Sequence, residues 1–302
     1  MKLQQLEVFV HVARERSLRA AARRLALTQP AITRTIQELE ADLGAVLLNR
    51  SAKGVELTSF GQVLEVRASQ LLEDARRARE EIAQLQGELR GTLTFGTTSS
   101  IALTLLPQAV LQFRQSAPKA ELSIIELKYP HGLRRLRDGQ ADFAAMHLLP
   151  DMLDDDLRSI PLLETDFVAV ARAGNPLIGA RTLAELAGAQ WLQPLAGSAQ
   201  PGSIVATAFR NAGLTPPEGA VRYASFAVML GLVSSTDMLG AASRPLAERL
   251  AAFGLLPVKL RKPLARVQMG VVMRKSYRPT PVATQFLACL QTAARAVAAR
   301  RP

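Results

Sequence analysis

Apolar and polar positions along this chain repeat with periods that change several times, and each change marks a new element. Residues 17–43 carry two short helical stripes: Leu18, Ala21, Ala22 and Leu25, then Ile32, Ile36, Leu39 and Leu43. Ser17 and Thr28 stand just before the stripes, where a side-chain oxygen can accept from the free N–H groups of a first turn, and Pro30 sits close to the start of the second. The spacing predicts a helix-turn-helix. A third stripe, Leu64, Ala68, Leu71, Ala75, Ala78, Ile82 and Leu85, alternates steps of four and three, which is a heptad seam within residues 58–88. Its three alanines allow two backbones to approach, so the seam predicts a dimerisation helix about 45 Å long at 1.5 Å per residue. A long helix packed on its own domain would show the same stripe. Gly87 and Gly91 supply its end.

From Thr92 the period shortens. Residues 92–97, 121–128 and 141–147 alternate as strands, with a helix from about Ile101 and a short one ended by Gly139 between them. Further strands are expected at Asp166–Arg172, Gln190–Pro194, Val221–Tyr223, Met238–Ala242 and Val267–Met273, with helices at Gly202–Ala212, Phe226–Ser234 and Thr280–Ala298. Strands alternating with helices imply parallel sheets in doubly wound α/β domains.

Charge then separates the parts. Between Ser17 and Gln37 lie Arg19, Arg23, Arg24 and Arg34 and no carboxylate, while Glu38, Glu40 and Asp42 follow. A helix that reads DNA would present its early residues to the bases and keep such a tail from the phosphates. A solvated basic hairpin would show the same charges. The net charge of +11 is weak support for DNA binding, because the excess lies elsewhere. Residues 244–302 hold 12 Lys and Arg against one Glu, whereas residues 1–91 hold 14 against 12. That basic tail is read as a solvated face, with attraction of DNA or an anionic effector, and pairing with an acidic partner surface, as alternatives.

The run S-x-x-x-A-A-x-x-L-x-x-T-Q-P-A-I-T-x-x-I-x-x-L-E-x-x-L-G at residues 17–44 resembles, almost position for position, the winged helix-turn-helix of the LysR-type transcriptional regulators. The following A-V-L-L-N-R-S-A-K-G-V-E-L-T resembles the family's wing, with Thr33 where Ser is frequent and Leu48 where Phe is usual. The resemblance implies a DNA-binding domain at 1–57, a linker and dimerisation helix at 58–91, and a periplasmic-binding-protein-like effector region. Its two α/β subdomains would be 92–164 with 267–302, and 165–266. It implies that Gln29, Pro30, Thr33, Arg34 and Gln37 enter the major groove, with Arg50 and Lys53 on adjacent backbone or minor groove. It also implies a homodimer, a homotetramer through the effector domains, and RNA polymerase as a further partner.

In open α/β sheets a ligand sits beyond the carboxyl ends of the strands, beside helix N-termini. Those ends are rich here in hydroxyl residues, with Ser225 as a further cap, which suits a small anion. By resemblance Thr98, Ser99, Ser100, Tyr129, His147, Gln193 and Ser198 wall the cleft; helix capping and loop chemistry would account for the hydroxyls equally well. Segments such as L-T-S-F-G-Q and Y-P-x-x-L-x-x-L-R-D-G are similar to the branch of the family that includes the regulator of toluenesulfonate degradation, which implies an aromatic carboxylate or sulfonate. No cofactor is expected beyond this effector.

Catalytic signatures are missing: no G-x-S-x-G, P-loop or dinucleotide fingerprint, and no metal-ligand spacing around His11, His131, His147 or Cys289. The chain reads as a regulator and not an enzyme. Charges inside the first residues argue against a signal peptide, and no apolar run nears the roughly 18 residues of a membrane span, so a cytoplasmic location is expected. Cys289 lies among Phe286, Leu287 and Leu290 and reads as core. A cytoplasmic solute-binding protein with only non-specific DNA affinity remains the competing reading.

Overall fold

The computed structural model describes residues 1–51, 54–85, 89–127, 131–148, 153–195, 204–217 and 221–300, with backbone alone at Arg50, Gln84, Leu85 and His131. Its contacts divide into two compact units, Met1–Glu88 with Arg137–Gln140, and Leu89–Leu136 with Ala141–Pro302.

The first unit runs α1 (Leu3–Glu15), α2 (Leu18–Arg24), α3 (Gln29–Leu43), β1 (Leu48–Ser51), β2 (Gly54–Leu57) and α4 (Ser59–Leu85). Both expected caps are present: Ser17 Oγ accepts from the Ala20 N–H at 3.2 Å and Thr28 Oγ1 from the Ala31 N–H at 3.3 Å. The stripes turn inward as Ala21, Ala22, Ile32, Ile36 and Leu39, which join Leu6, Phe9 and Val12 of α1 in one core. Leu43 departs from the expected buried face and is 40% exposed, because the helix ends there, just before Gly44 in the left-handed region. The antiparallel β1–β2 hairpin is the wing. Leu64 and Ala68 of the heptad stripe pack into this same core, while Leu71, Ala78 and Ile82 face solvent and the Leu85 side chain lies outside the described set.

The second unit, to which all but the last residue of α7 belongs, continues with β3 (Gly91–Thr97), α5 (Ser99–Thr104), α6 (Leu106–Ser116), β4 (Ala120–Glu126), α7 (His131–Arg137), β5 (Phe143–Leu148) and β6 (Leu157–Arg172). Then come β7 (Leu192–Pro194), α8 (Ile204–Asn211), β8 (Val221–Tyr223), α9 (Phe226–Ser235), β9 (Gly240–Ser243), α10 (Arg244–Leu250), β10 (Leu255–Pro257), β11 (Ala265–Arg274) and α11 (Pro281–Ala299). The expected single helix from Ile101 is two, α5 and α6. Pro107 has no N–H to bond back into α5, and the chain re-forms a helix with that proline in its first turn.

The purely parallel sheet expected from the strand-helix alternation is instead mixed. β3 pairs in parallel with β4 and β5, and β7 with β8, but β11 runs antiparallel to both β5 and β6. The reason is the long pair β6 and β11, which carries the chain out of one lobe and back, and two such strands side by side must oppose each other. Leu157 and Leu163 on the early part of β6 join cores with β3 and β5, whereas Val168–Ala171 serve two other cores, with α8 on one face and α9 and α10 on the other. Phe286 of α11 anchors the first lobe, edge-on to Phe95 at 5.0 Å and Phe113 at 5.2 Å. Trp191 anchors the second, fully buried and perpendicular to Phe209 at 6.1 Å. Cys289 is buried in the first lobe.

Candidate functional site

Two candidate surfaces are built, one in each unit. In the first, α2 is locked to α3 by a turn in which the Leu27 N–H bonds to Ala22 O at 2.9 Å and Ala26 takes a left-handed conformation, φ 53°. An L-residue pays about 1 kcal/mol to sit there, so the turn is imposed by packing of the two stripes. With Ile32, Ile36 and Leu39 turned into the core, the opposite face of α3 must carry Gln29, Pro30, Arg34 and Gln37 outward, and all four are exposed; Thr33 is half-buried. Arg34 is 83% exposed and its Nε donates to Glu38 Oε1 at 3.1 Å one turn on. The arrangement offers a guanidinium, two amides and a hydroxyl on the leading part of one helix, which is the chemistry that reads base edges in a major groove.

From sequence Glu40 is only a tail carboxylate. In the structure its Oε1 accepts from the Leu47 N–H at 2.8 Å and the Leu48 N–H at 3.2 Å, tying the start of the wing to α3. The Val55 N–H bonds to Arg16 O at 3.0 Å, tying the other wing strand to the end of α1. The wing is thereby held from both sides. Of its two basic candidates, the Arg50 side chain and Lys53 lie outside the described residues.

The second surface lies at the carboxyl ends of β3, β4 and β5. Thr97 of β3 pairs with Glu126 of β4 and with Ala145 of β5, so Thr98 and Ser99, Glu126, and His147 meet along one edge. Gly96 permits this tight crossing: a Cβ there would lie 2.3 Å from Leu127 Cδ1. The Thr98 N–H donates to Ala145 O at 3.3 Å, while Thr98 Oγ1 is shut from solvent without a partner. Ser99 Oγ donates to Glu126 Oε1 at 2.5 Å. Ser100 is turned elsewhere, its hydroxyl 2.8 Å from that of the fully buried Ser243, a bond that joins α5 of the first lobe to the end of β9 in the second.

His147 stands edge-on to Phe167 of β6 at 5.1 Å, and its Nε2 has neither solvent nor a partner. Burial pushes its pKa down to about 4, so the imidazole is neutral near neutral pH. In the second lobe Gln193 lies in β7 and donates to Pro217 O at 3.3 Å. Near it, burial pushes the Tyr223 phenol up to about 12, keeping it protonated. Ser225 precedes α9 but makes no side-chain capping bond, contrary to its expected role. Tyr129 and Ser198 lie outside the described residues. The structure therefore brings together Thr98, Ser99 and His147, gives Ser100 and Gln193 partners within the protein, and adds Glu126, Phe167 and Ser243. Sequence spacing carries no trace of these last three, since each acts across strands distant in the chain.

Residues 3–62 match the family described as bacterial regulatory helix-turn-helix protein, lysR family, and residues 86–295 match the LysR substrate binding domain. The chain belongs to the LysR family. It is a DNA-binding transcriptional regulator with a substrate-binding domain, and the family is one of regulators rather than enzymes. Relatives include the HTH-type transcriptional regulator TdcA of Escherichia coli, 31% identical over 92% of this chain and 88% of that protein. The SDS degradation transcriptional activation protein of a Pseudomonas species is 31% identical over 93% and 92%. Full-length CbnR complexed with its target DNA superposes on this LysR-type fold with a TM-score of 0.70 at 24% identity, covering 97% of this chain and 100% of that one. A full-length OxyR variant from Pseudomonas aeruginosa gives 0.72 at 24%, covering 98% and 95%. No described helix of this regulator is long and apolar enough to cross a membrane.

Proposed function

We propose that this LysR-type protein binds a specific operator through the leading face of α3 and is switched by a small anionic effector, an aromatic carboxylate or sulfonate, held between its two α/β lobes. The observation that carries the DNA half is the exposed, carboxylate-free stretch of Gln29, Pro30, Arg34 and Gln37 opposite a fully buried stripe. Gln29, Pro30, Thr33, Arg34 and Gln37 enter the major groove, and Arg50 and Lys53 of the wing meet neighbouring backbone or minor groove. For the effector, the unpartnered Thr98 Oγ1 and His147 Nε2 support a ligand at the ends of β3 and β5, with Ser99, Tyr129, Gln193 and Ser198 on adjoining walls.

The exposed Leu71, Ala78 and Ile82 of α4 support pairing of two linker helices in a homodimer, and the resemblance to the family extends this to a tetramer through the effector domains. The α4 helix of 27 residues, about 40 Å long, is sufficient to space two reading heads along DNA. The protein acts in the cytoplasm with RNA polymerase as its downstream partner, and needs no cofactor. The passage of β6 from the cores of Leu157 and Leu163 to those of Val168–Ala171 supports subdomain boundaries at about 92–164 with 267–302, and 165–266.

The test is a titration of the protein against the DNA upstream of its own gene and against an unrelated duplex of equal length, at several salt concentrations. A preference of roughly a thousandfold or more for the upstream site is expected. Equal and strongly salt-dependent binding to both duplexes would refute the specific reading, since charge alone gives that result.

A further inference from the structure

The three strand ends that meet at Thr98 bring a carboxylate to the place where an anion would be received. Glu126 closes β4 in register with Thr97, and its Oε1 already accepts from Ser99 Oγ at 2.5 Å. Thr98 Oγ1 at the end of β3, and His147 Nε2 on β5, which flanks β3 opposite β4, are buried without partners. A deprotonated carboxylate can only accept, so whatever lies against Glu126 must offer an N–H or O–H. An effector whose acid group approached Ser99 alone would meet a like charge there, which selects against it. An effector with a donor beside its acid group fits both features, with the donor on Glu126 and the acid on Thr98 Oγ1 and the imidazole.

We infer that Glu126 sets the effector class: a small acid bearing a hydroxyl or ammonium group next to the acid, which the Glu126 carboxylate accepts while plain carboxylates and sulfonates are disfavoured. The inference rests on the cleft reading above. It makes Glu126 a specificity-determining residue, and it narrows the aromatic acids of that reading to those that carry a hydroxyl or ammonium group beside the acid.

Phenylacetate, mandelate and phenylglycine differ only in the group beside the carboxylate, and their binding to the full chain is measured by titration calorimetry for the natural protein, Glu126→Gln and Ser99→Ala. The natural protein is expected to bind mandelate or phenylglycine about tenfold or more tighter than phenylacetate. In Glu126→Gln that preference is expected to fall below about threefold, with phenylacetate gaining affinity. Equal binding of all three by the natural protein, an undiminished preference in Glu126→Gln, or no binding of any of the three to either protein each overturns the proposal. Ser99→Ala separates the two readings. If it weakens all three ligands while Glu126→Gln keeps the preference, the cleft stands and Glu126 falls; if it leaves every affinity unchanged, the cleft reading fails and takes the proposal with it. Far-UV circular dichroism of each variant establishes that it has folded.

Discussion

Replacing Arg34 by Ala separates DNA reading from folding. Its side chain is 83% exposed and its one described ion pair, with Glu38, is itself 54% exposed. A solvent-exposed pair at this helical spacing contributes about 0.3–0.5 kcal/mol, and alanine regains part of that through better helix propensity. For a unit of this size that moves the melting temperature by no more than about 4 °C. On DNA the expected cost is much larger, about 1–3 kcal/mol for a lost base contact, or roughly a 5- to 150-fold weaker operator complex per reading head. The assay is a gel-shift titration of both proteins on the operator and on an unrelated duplex between roughly 50 and 200 mM salt. If Arg34 reads a base, the variant loses affinity for the operator and little for the other duplex. If it touches only phosphate, the loss is equal on both and the salt slope falls by about one. Unchanged operator affinity in a folded variant would remove α3 from the major groove and refute the reasoning.

Three other outcomes follow from particular contacts. Glu40→Ala deletes the acceptor shared by the Leu47 and Leu48 N–H groups, and should cost about 1–3 kcal/mol in urea unfolding of the N-terminal unit and weaken operator binding through a loosened wing. Ser100→Ala leaves the Ser243 hydroxyl buried without its partner and should destabilise the effector unit by about 1–3 kcal/mol, read as a lower urea midpoint with the slope unchanged. His147, held at about 4 by burial against 6.5 in the unfolded chain, binds its proton more readily when unfolded, so its contribution is complete above about pH 6.5 and is lost as pH falls towards 4. Between pH 7 and pH 5 that loss is about 2 kcal/mol, and His147→Gln should flatten that part of the stability profile; an unaltered profile would mean that the imidazole is solvated.

The helix-turn-helix was legible because its signals are local: a cap, a proline in the first turn and a stripe with a period of 3.6 lie within one short stretch. Most strands were legible by alternation for the same reason. The early half of β6, Leu157–Glu164, was not, since Pro161 interrupts it; the structure absorbs that residue at a register shift opposite Met269 and Gly270. Strand direction was also missed, because alternation reports that a segment is extended and says nothing of which neighbour it meets. The same limit governs the effector edge. Thr98 and Ser99 stand out as hydroxyls after a strand, but Glu126 lies 27 residues from Ser99, and Ser243 lies 143 from Ser100. Contacts made by sheet register leave no spacing for a linear reading to find.

Trp191 is the chain's one tryptophan, and the three tyrosines, Tyr129, Tyr223 and Tyr277, all belong to the larger unit. The reading head therefore has neither tryptophan nor tyrosine, and red-edge excitation illuminates a single buried indole beside Phe209. Emission follows the opening of the lobe built on α8, while ellipticity sums every helix in the molecule. Two melting curves recorded together on the unmodified protein, one by each method, thus separate the stability of the sensing half from that of the DNA-reading half, with no label and no truncation.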